Sequence, residues 1–261
     1  MNKYDETITY YLERELNNRF KCDVIEVVNA GMSGYTVEQE FIFIQLVLQY
    51  YEPDVIIGLD GFNDLNSFYV NKDIDLGYLP QYWKCFQVVQ KGKEERRFYH
   101  RFKAMFKNTA RAVDFFQRVI TGRQKQIQDY SHITDAELKN LGLTYIDILN
   151  DTRDFCSSKG IVYYSFLQPV KWYAPRFPEH GRFCPEECLN KLYGIYDEKI
   201  KGLDYGCSLT SVFGDALGDY TDNVHLNPEG NLIVARAMAD FLEKKLAKDS
   251  KFRTLLGDSS R

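Results

Sequence analysis

The sequence contains no long apolar run and carries little net charge. No window approaches the roughly 18 uninterrupted apolar residues of a membrane span. The formal net charge over 261 residues is -4, so the chain lacks the polyelectrolyte character that favours nucleic-acid binding, and we expect no nucleic-acid partner. The segment from Met1 to Asp5 has no apolar signal-peptide core. We therefore expect a cytoplasmic location for the chain as it stands, although an upstream segment could add a signal or an anchor.

The six cysteines are scattered and form no C-x-x-C pair. We expect free thiols in a reducing compartment, because a domain of this size rarely needs disulfides. One alternative is a metal site at Cys184, Cys188 and the nearby His180, but those three ligands lack a fourth. We therefore expect no metal and no other cofactor.

Apolar residues are abundant enough for one large domain. Hydrophobic residues make up 44% of the chain and aromatic residues 15%, so we expect residues 1–261 to form a single domain around a sizeable core. Periodicity predicts a helix over residues 6–20, a buried strand over 23–28, a helix from 37 to about 51 and a strand over 55–59. A capping box at Thr36 and Gln39 opens the second helix, and Pro53 ends it.

The second half of the chain repeats this alternation. A helix begins at the capping box of Thr134 and Glu137 and is followed by a strand over residues 161–167. The pattern over residues 207–213 also predicts a strand, but less strongly. Asn227 and Pro228 are cap and first-turn residues for a last helix that ends near Ala247. Strands that alternate with helices predict an α/β fold, a three-layer, flavodoxin-like parallel sheet.

About a hundred residues separate the second predicted strand from the third, far more than a crossover helix needs. We expect a helical cap insertion at about residues 68–133. Within it, the segment from Lys91 to Lys125 holds eleven Lys or Arg against three Asp or Glu, a local charge of +8. Its apolar stripe is typical of an amphipathic helix with a solvated basic face, and the alternative is contact with an anionic glycan or membrane surface.

Residues suited to acyl-ester chemistry stand at the predicted strand ends. Asp222 and His225 are three apart, so a helix-like turn puts the carboxylate within reach of the imidazole, as a general base and its partner require. Asn63 follows a strand end and Gly61, so its amide can project into a crevice as an N–H donor. Gly34 precedes a helix, and its backbone N–H can serve as a second donor. Taken alone, Asn63 and Gly34 are also ordinary turn residues.

Taken together, three blocks of the sequence resemble the SGNH or GDSL hydrolase family. The segment Val27-Val28-Asn29-Ala30-Gly31-Met32-Ser33-Gly34-Tyr35-Thr36 is similar to its second block, Gly61-Phe62-Asn63-Asp64 to its third and Asp222-Asn223-Val224-His225 to its fifth. The resemblance extends from about Asp5 to Leu246, apart from the insertion. It implies that His225 is the base, Asp222 its partner, and Asn63 and the Gly34 N–H the oxyanion donors.

A further segment, Phe166-Leu167-Gln168-Pro169, is similar to one in family members encoded near polysaccharide synthesis genes. This resemblance implies a substrate-binding place for Gln168 and an acyl-ester substrate that is a small molecule or a glycan. We therefore expect an esterase that hydrolyses or transfers acyl groups, with carbohydrate O-acetyl groups as one substrate class.

The family's first block, a strand ending in Gly-Asp-Ser or Gly-Gly-Ser that carries the nucleophile, has no counterpart here. We expect a truncated chain, inactive as given, whose upstream reading frame encodes that strand. The alternatives are a pseudoenzyme that binds acylated glycans without turnover, and a flavodoxin-like scaffold with an unrelated role. Ser33 and Ser67 are weak substitutes, because both would approach from the side of the oxyanion donors, away from the base.

Overall fold

A computed structural model describes residues 4–65, 134–171, 186–214, 219–222 and 224–255. The predicted insertion at 68–133, with the basic segment from Lys91 to Lys125, lies outside the described residues, so both remain predictions. Among the described helices, none combines the length and apolarity that crossing a membrane would require.

Three parallel strands form the sheet of the described chain. They are β1 (Val55–Asp60), β2 (Val162–Leu167) and β3 (Gly206–Ser208), in the order β1-β2-β3. In the first ladder Val55 pairs with Val162, and the register continues in step to Asp60 and Leu167. The strands alternate with helices along the chain, which confirms the predicted α/β fold with a parallel sheet.

The longer helices cover both faces of this sheet. Their bounds are Ile8–Phe20 (α1), Val37–Leu46 (α2), Asp135–Ser158 (α3), Glu186–Lys201 (α4), Pro228–Leu246 (α5) and Ser250–Leu255 (α6). On one face, Tyr164 and Phe166 of β2 contact Phe241 of α5, with ring centroids 5.8 and 5.3 Å apart, and α1 packs along α5. The opposite face carries α3 and α4, which pack on β2 and on each other, with α2 against α3.

The predicted helix starts are confirmed by their caps. Thr134 Oγ1 accepts the Glu137 N–H (3.2 Å), and the Glu137 carboxylate accepts the Thr134 N–H (2.6 Å). Asn227 Oδ1 caps α5 by accepting an N–H from its first turn at 2.7 Å. Each side chain satisfies a backbone donor that the helix itself leaves unpaired, which is why these sites could be identified from the sequence.

The predicted strand over residues 23–28 is wrong: these residues have no regular secondary structure. Their backbone is instead bound by α1, because the Asn17 side chain pairs with both the N–H and the C=O of Ile25 (3.1 and 2.8 Å). The Val27 N–H donates to the Glu13 carboxylate at 2.9 Å. A strand needs a neighbouring strand to pair with, and none lies beside these residues in the described chain.

Two other element boundaries differ from prediction. The helix predicted to run to about residue 51 ends at Leu46, and a separate 3-10 turn follows over Leu48–Tyr51. The change occurs at Val47, whose φ of -134° is not helical. The weak strand predicted over residues 207–213 is confined to Gly206–Ser208, because β2 pairs with only those residues.

Side-chain contacts fix the direction of the helices relative to the sheet. Near the C-terminal end of α5, the Lys245 ammonium donates to the carbonyl of Asp204, just before β3. The N-terminus of α5 therefore lies at the opposite edge, where the strands end. The N-terminus of α2 is tied to the same edge, because the Val37 N–H donates to Asp64, four residues past β1 (3.1 Å). The loops before α2 and α5 thus meet the carboxyl ends of the strands, the usual place for a ligand crevice in such sheets.

Candidate active site

An aspartate and a histidine are hydrogen-bonded in the loop before α5. His225 Nδ1 lies 2.7 Å from Asp222 Oδ2. The other carboxylate oxygen accepts the backbone N–H groups of Val224 and His225, at 2.9 and 2.8 Å. The loop is closed behind them by the Thr221 N–H, which donates to the His225 carbonyl (2.8 Å). The spacing of three residues thus brings the two side chains together, as the sequence predicted.

The charge of Asp222 determines what the imidazole can do. Partial burial raises the pKa of Asp222, but hydrogen bonds from two backbone N–H groups and from His225 outweigh it and lower this pKa to about 2. The carboxylate is therefore ionised at neutral pH and can accept a hydrogen bond from Nδ1–H, an arrangement that turns the lone pair of Nε2 outward as a base. The His225 side chain is 77% exposed, so Nε2 is accessible to a hydroxyl group.

Asn63 and Gly34 belong to two turns that contact each other. Asn63 lies in a helical turn after β1, and its Nδ2 donates to the carbonyl of Tyr35, next to Gly34, at 2.9 Å. That bond uses one of the two amide hydrogens, so a second is left for a ligand. Gly34 has a φ of +78° in a turn closed by the Tyr35 N–H to the Met32 carbonyl (3.2 Å). The Gly34 N–H takes no part in that bond. Because Asn63 donates to the residue next to Gly34, the two predicted donors are neighbours.

Asp64 makes a second link between these turns. It is 1% exposed, and its Oδ1 accepts the Val37 N–H at the start of α2 (3.1 Å). This contact and the one from Asn63 to Tyr35 hold the turn after β1 against the loop that carries Gly34. The donors are therefore positioned by long-range contacts, as an oxyanion site requires.

A group of buried and partly buried acids lies behind these turns, and the sequence did not reveal it. The carboxyl groups of Glu40 and Asp60 are hydrogen-bonded to each other, and Asp64 lies close enough to interact with both. Burial raises the pKa of Asp60 to about 6. Burial and the nearby acids raise the pKa values of Glu40 and Asp64 well above the usual range. The raised pKa values of Glu40 and Asp64 disfavour negative charge beside the turns that carry Asn63 and Gly34.

One signal in the sequence could have pointed to these acids. Asp60 ends an otherwise apolar strand, and Glu40 lies in the largely apolar stretch of α2. Acidic residues on apolar elements are unusual, because burying a charged carboxylate is costly.

The other predicted site residues are also located at this edge or remain undescribed. Gln168 directly follows β2, and its N–H extends the ladder by donating to the Asp60 carbonyl (2.9 Å). Ser33 is exposed in the turn before Gly34, whereas Ser67 lies outside the described residues.

No group of metal-ligating side chains occurs within the described ranges, and Cys184 and His180 of the alternative site fall outside them. Of the six cysteines, those the structure describes are free thiols: Cys22, Cys156, Cys188 and Cys207.

Comparisons with known proteins add little to this geometry. No protein-family model matches the sequence, and a search of curated proteins finds no match. Among solved structures, the crystal structure of an acetyl xylan esterase, AlAXEase, is similar with a TM-score of 0.49 and 11% sequence identity. The alignment covers 92% of this chain and 91% of that one. A likeness at this level carries no argument about activity.

Proposed function

We propose that this chain supplies the base and the oxyanion donors of an SGNH- or GDSL-type serine esterase. The observation that carries the proposal is the 2.7 Å contact between His225 Nδ1 and Asp222 Oδ2 at the carboxyl edge of the sheet. The turn that holds Asn63 against Tyr35 belongs to the same edge. A base with a fixed tautomer and a pair of aimed N–H donors are two of the three parts that acyl transfer through a serine requires.

In the proposed reaction, each group acts once while the acyl-enzyme forms and once while the acyl group is released. A serine hydroxyl gives its proton to His225 Nε2 while its oxygen attacks the acyl carbon, and the carbonyl oxygen becomes negatively charged. Asn63 and the Gly34 N–H stabilise that oxyanion. The bond to the leaving alcohol then breaks, His225 returns the proton to it, and an acyl-enzyme remains. Water or an acceptor alcohol releases the acyl group by the reverse sequence, which gives hydrolysis or transfer.

The proposed substrate is an acyl ester of a small molecule or a glycan, with carbohydrate O-acetyl groups as the first candidates. The position of Gln168, directly after β2, supports this proposal because its amide can both donate to and accept from sugar hydroxyl groups. The base itself is exposed, which suits a substrate presented on a larger molecule.

The nucleophile is the part that the described residues do not supply. Ser33 lies next to Gly34, on the donor side of the proposed site, and not on the loop of His225. We therefore expect the chain as given to be inactive towards esters and unreactive towards a fluorophosphonate probe. Stoichiometric labelling of Ser33 or Ser67 would show that this assignment of the nucleophile is wrong.

The decisive test adds a nucleophile-bearing strand, ending in Gly-Asp-Ser, ahead of Met1. This longer chain should hydrolyse p-nitrophenyl acetate and be labelled by the probe at the added serine. His225→Ala should abolish both, because without its base the serine is not activated. His132→Ala, a change at a histidine outside the motif, is the matched control and should leave both unchanged.

Two results would contradict the proposal. One is full activity after His225→Ala, which would make the residues 222–225 no more than a turn that leads into a helix. The other is a longer chain that binds an acetylated glycan but never releases acetate, which would favour the binding role instead.

A further inference from the structure

Side-chain hydrogen bonds join the start of α2 to the end of β1. Asn63 and Asp64, in the turn after β1, bond to the backbone at or just before the start of this helix, at 2.9 and 3.1 Å. A further bond joins the carboxyl group of Glu40, in the first turn of α2, to that of Asp60, the last residue of β1. These bonds cross between the same two segments, so together they set the position of the turn that carries Asn63.

The bond between Glu40 and Asp60 differs from the others because it needs a proton. Two carboxylate anions have no hydrogen to donate, so one carboxyl group of the pair must be protonated. Burial raises the pKa of Asp60 to about 6, and the hydrogen bond from Glu40 opposes that rise. Burial, together with Asp60 beside it, raises the pKa of Glu40 well above the usual carboxyl range. Glu40 is therefore the donor, and it holds the last proton of the pair.

The described groups around this pair offer no positive charge to replace that proton. They are acids and phenols: Glu38 of α2, Asp64 of the turn after β1, Tyr163 of β2, Tyr145 of α3, and Tyr193 and Tyr196 of α4. The Tyr145 hydroxyl is buried near Asp60 and Asp64 and has no hydrogen-bond partner among the described residues. Its single O–H can stabilise one negative charge beside it, but it cannot serve two adjacent carboxylates.

We infer that Glu40 is a positioning residue of the candidate site: its protonated carboxyl group holds α2 on the end of β1, and loss of that proton separates the turn of Asn63 from the loop of Gly34. Two adjacent carboxylates in a buried place repel each other, and the segments that carry them can move apart. Because the pKa of Glu40 is raised, the contact persists above the usual carboxyl range and is lost as the pH rises further. The loop of Asp222 and His225 shares none of these bonds and keeps its geometry.

This inference rests on the proposed function for its consequence but not for its test. NMR spectra of the chain as given, recorded from pH 6 to 10, report the contact without any ester. The carboxyl carbon-13 signal of Glu40 should titrate above the usual carboxyl range. Nuclear Overhauser effects between the Asn63 side-chain amide protons and residues 35–36 should fall at least twofold with the same midpoint. The amide signal of Val224, which donates to Asp222, should not follow that midpoint.

Variants at the pair identify the group that causes the transition. Glu40→Gln should remove it, because an amide can donate to Asp60 at every pH. Asp60→Asn should also remove it, since the pair then carries one charge at most, and it provides a second route if Glu40→Gln does not fold. Glu38→Gln is the matched control, because it removes an acid from the same turn of α2 but leaves the bond between Glu40 and Asp60. The transition should remain in that variant.

The consequence for catalysis is a loss of kcat at alkaline pH. In the longer chain that carries the nucleophile, kcat for p-nitrophenyl acetate should fall as Glu40 loses its proton, with little change in KM. The fall is limited to the roughly hundred- to thousandfold loss expected for one oxyanion donor. Glu40→Gln should keep kcat constant over the same pH range, a rescue that a purely structural role of Glu40 would not give.

The outcomes separate this inference from the proposed function. Loss of the Asn63 contacts as Glu40 titrates, together with a longer chain that does not hydrolyse the ester, supports the positioning role and contradicts the esterase. A Glu40 carboxyl group that titrates in the usual range, or contacts that survive its titration, overturns the positioning role whatever the activity. A transition that persists in Glu40→Gln or in Asp60→Asn also overturns it, because another group would then be the cause.

Discussion

Replacing Asp60 with asparagine should stabilise the protein at neutral and alkaline pH. Asp60 is 5% exposed at the end of β1, and burial raises its pKa from 3.8 to about 6. Its Oδ2 has no hydrogen-bond partner among the described residues. An asparagine has nearly the same shape as a protonated aspartic acid and can keep a hydrogen bond to Glu40, but it cannot ionise. The main effect of Asp60→Asn is therefore to remove the cost of a buried charge.

The sign and size of the effect follow from proton linkage. Between pH 4 and 6 the folded protein binds more protons at Asp60 than the unfolded chain, so the free energy of unfolding falls as the pH rises through this window. A shift of roughly two pKa units corresponds to about 3 kcal/mol, lost in full above pH 6. Asp60→Asn should therefore raise the free energy of unfolding by about 1–3 kcal/mol at pH 8 and change it little at pH 4.

Urea denaturation followed by far-UV circular dichroism, at pH 4, 6 and 8, measures this difference. Asp151→Asn is the matched control, because Asp151 is exposed on α3. That change should leave the unfolding free energy nearly unaltered at all three pH values. Equal destabilisation by Asp60→Asn at pH 4 and pH 8 would refute the reasoning, since it would show that the carboxylate itself, bound to a cation for example, stabilises the fold.

Three further outcomes are expected. Gly61→Ala should lower the free energy of unfolding by about 2–4 kcal/mol, since its φ is +128° and the new Cβ would lie 2.6 Å from a methyl group of Leu167 in β2. Gly160→Ala is the control: φ is +72° there, but the new Cβ meets no atom within 4 Å. It should cost only about 1–2 kcal/mol in the same urea assay. Asp222→Asn should let His225 populate both neutral tautomers, visible in imidazole nitrogen-15 NMR spectra, and a single unchanged tautomer would contradict the role given to Asp222. In a chain that carries the nucleophile, Asn63→Ala should reduce kcat by roughly a hundred- to a thousandfold with little change in KM, and a selective change in KM would contradict its assignment as a transition-state donor.

Elements defined by short-range signals were predictable from the sequence. The strands β1 and β2 are largely apolar runs, and the caps at Thr134 and Asn227 satisfy donors within the next three residues. The contact between Asp222 and His225 depends on a spacing of three and on backbone N–H groups in the same loop. Periodicity and spacing describe such features completely, because every partner is close in the sequence.

Features that depend on distant partners were not predictable. Residues 23–28 have the composition of a strand, but their backbone bonds go to side chains of α1. Asp60 and Glu40 stand out as acids on apolar elements, but only the packing of three separate elements shows that they meet Asp64. Neither the missing neighbour of a strand nor the partners of a buried carboxylate are encoded in a local pattern.

The two halves of the candidate site therefore differ in what holds them. The loop of Asp222 and His225 is closed by its own backbone, and the Asn227 N–H donates back across it to the Asp219 carbonyl (2.8 Å). The turn that carries Asn63 has no such closure, because Asn63 and Asp64 contact residues 28 and 27 positions away. Those two bonds hold only while β1 and α2 are packed together. Displacement of α2 from the turn after β1 would therefore misplace Asn63 while leaving the contact between Asp222 and His225 intact.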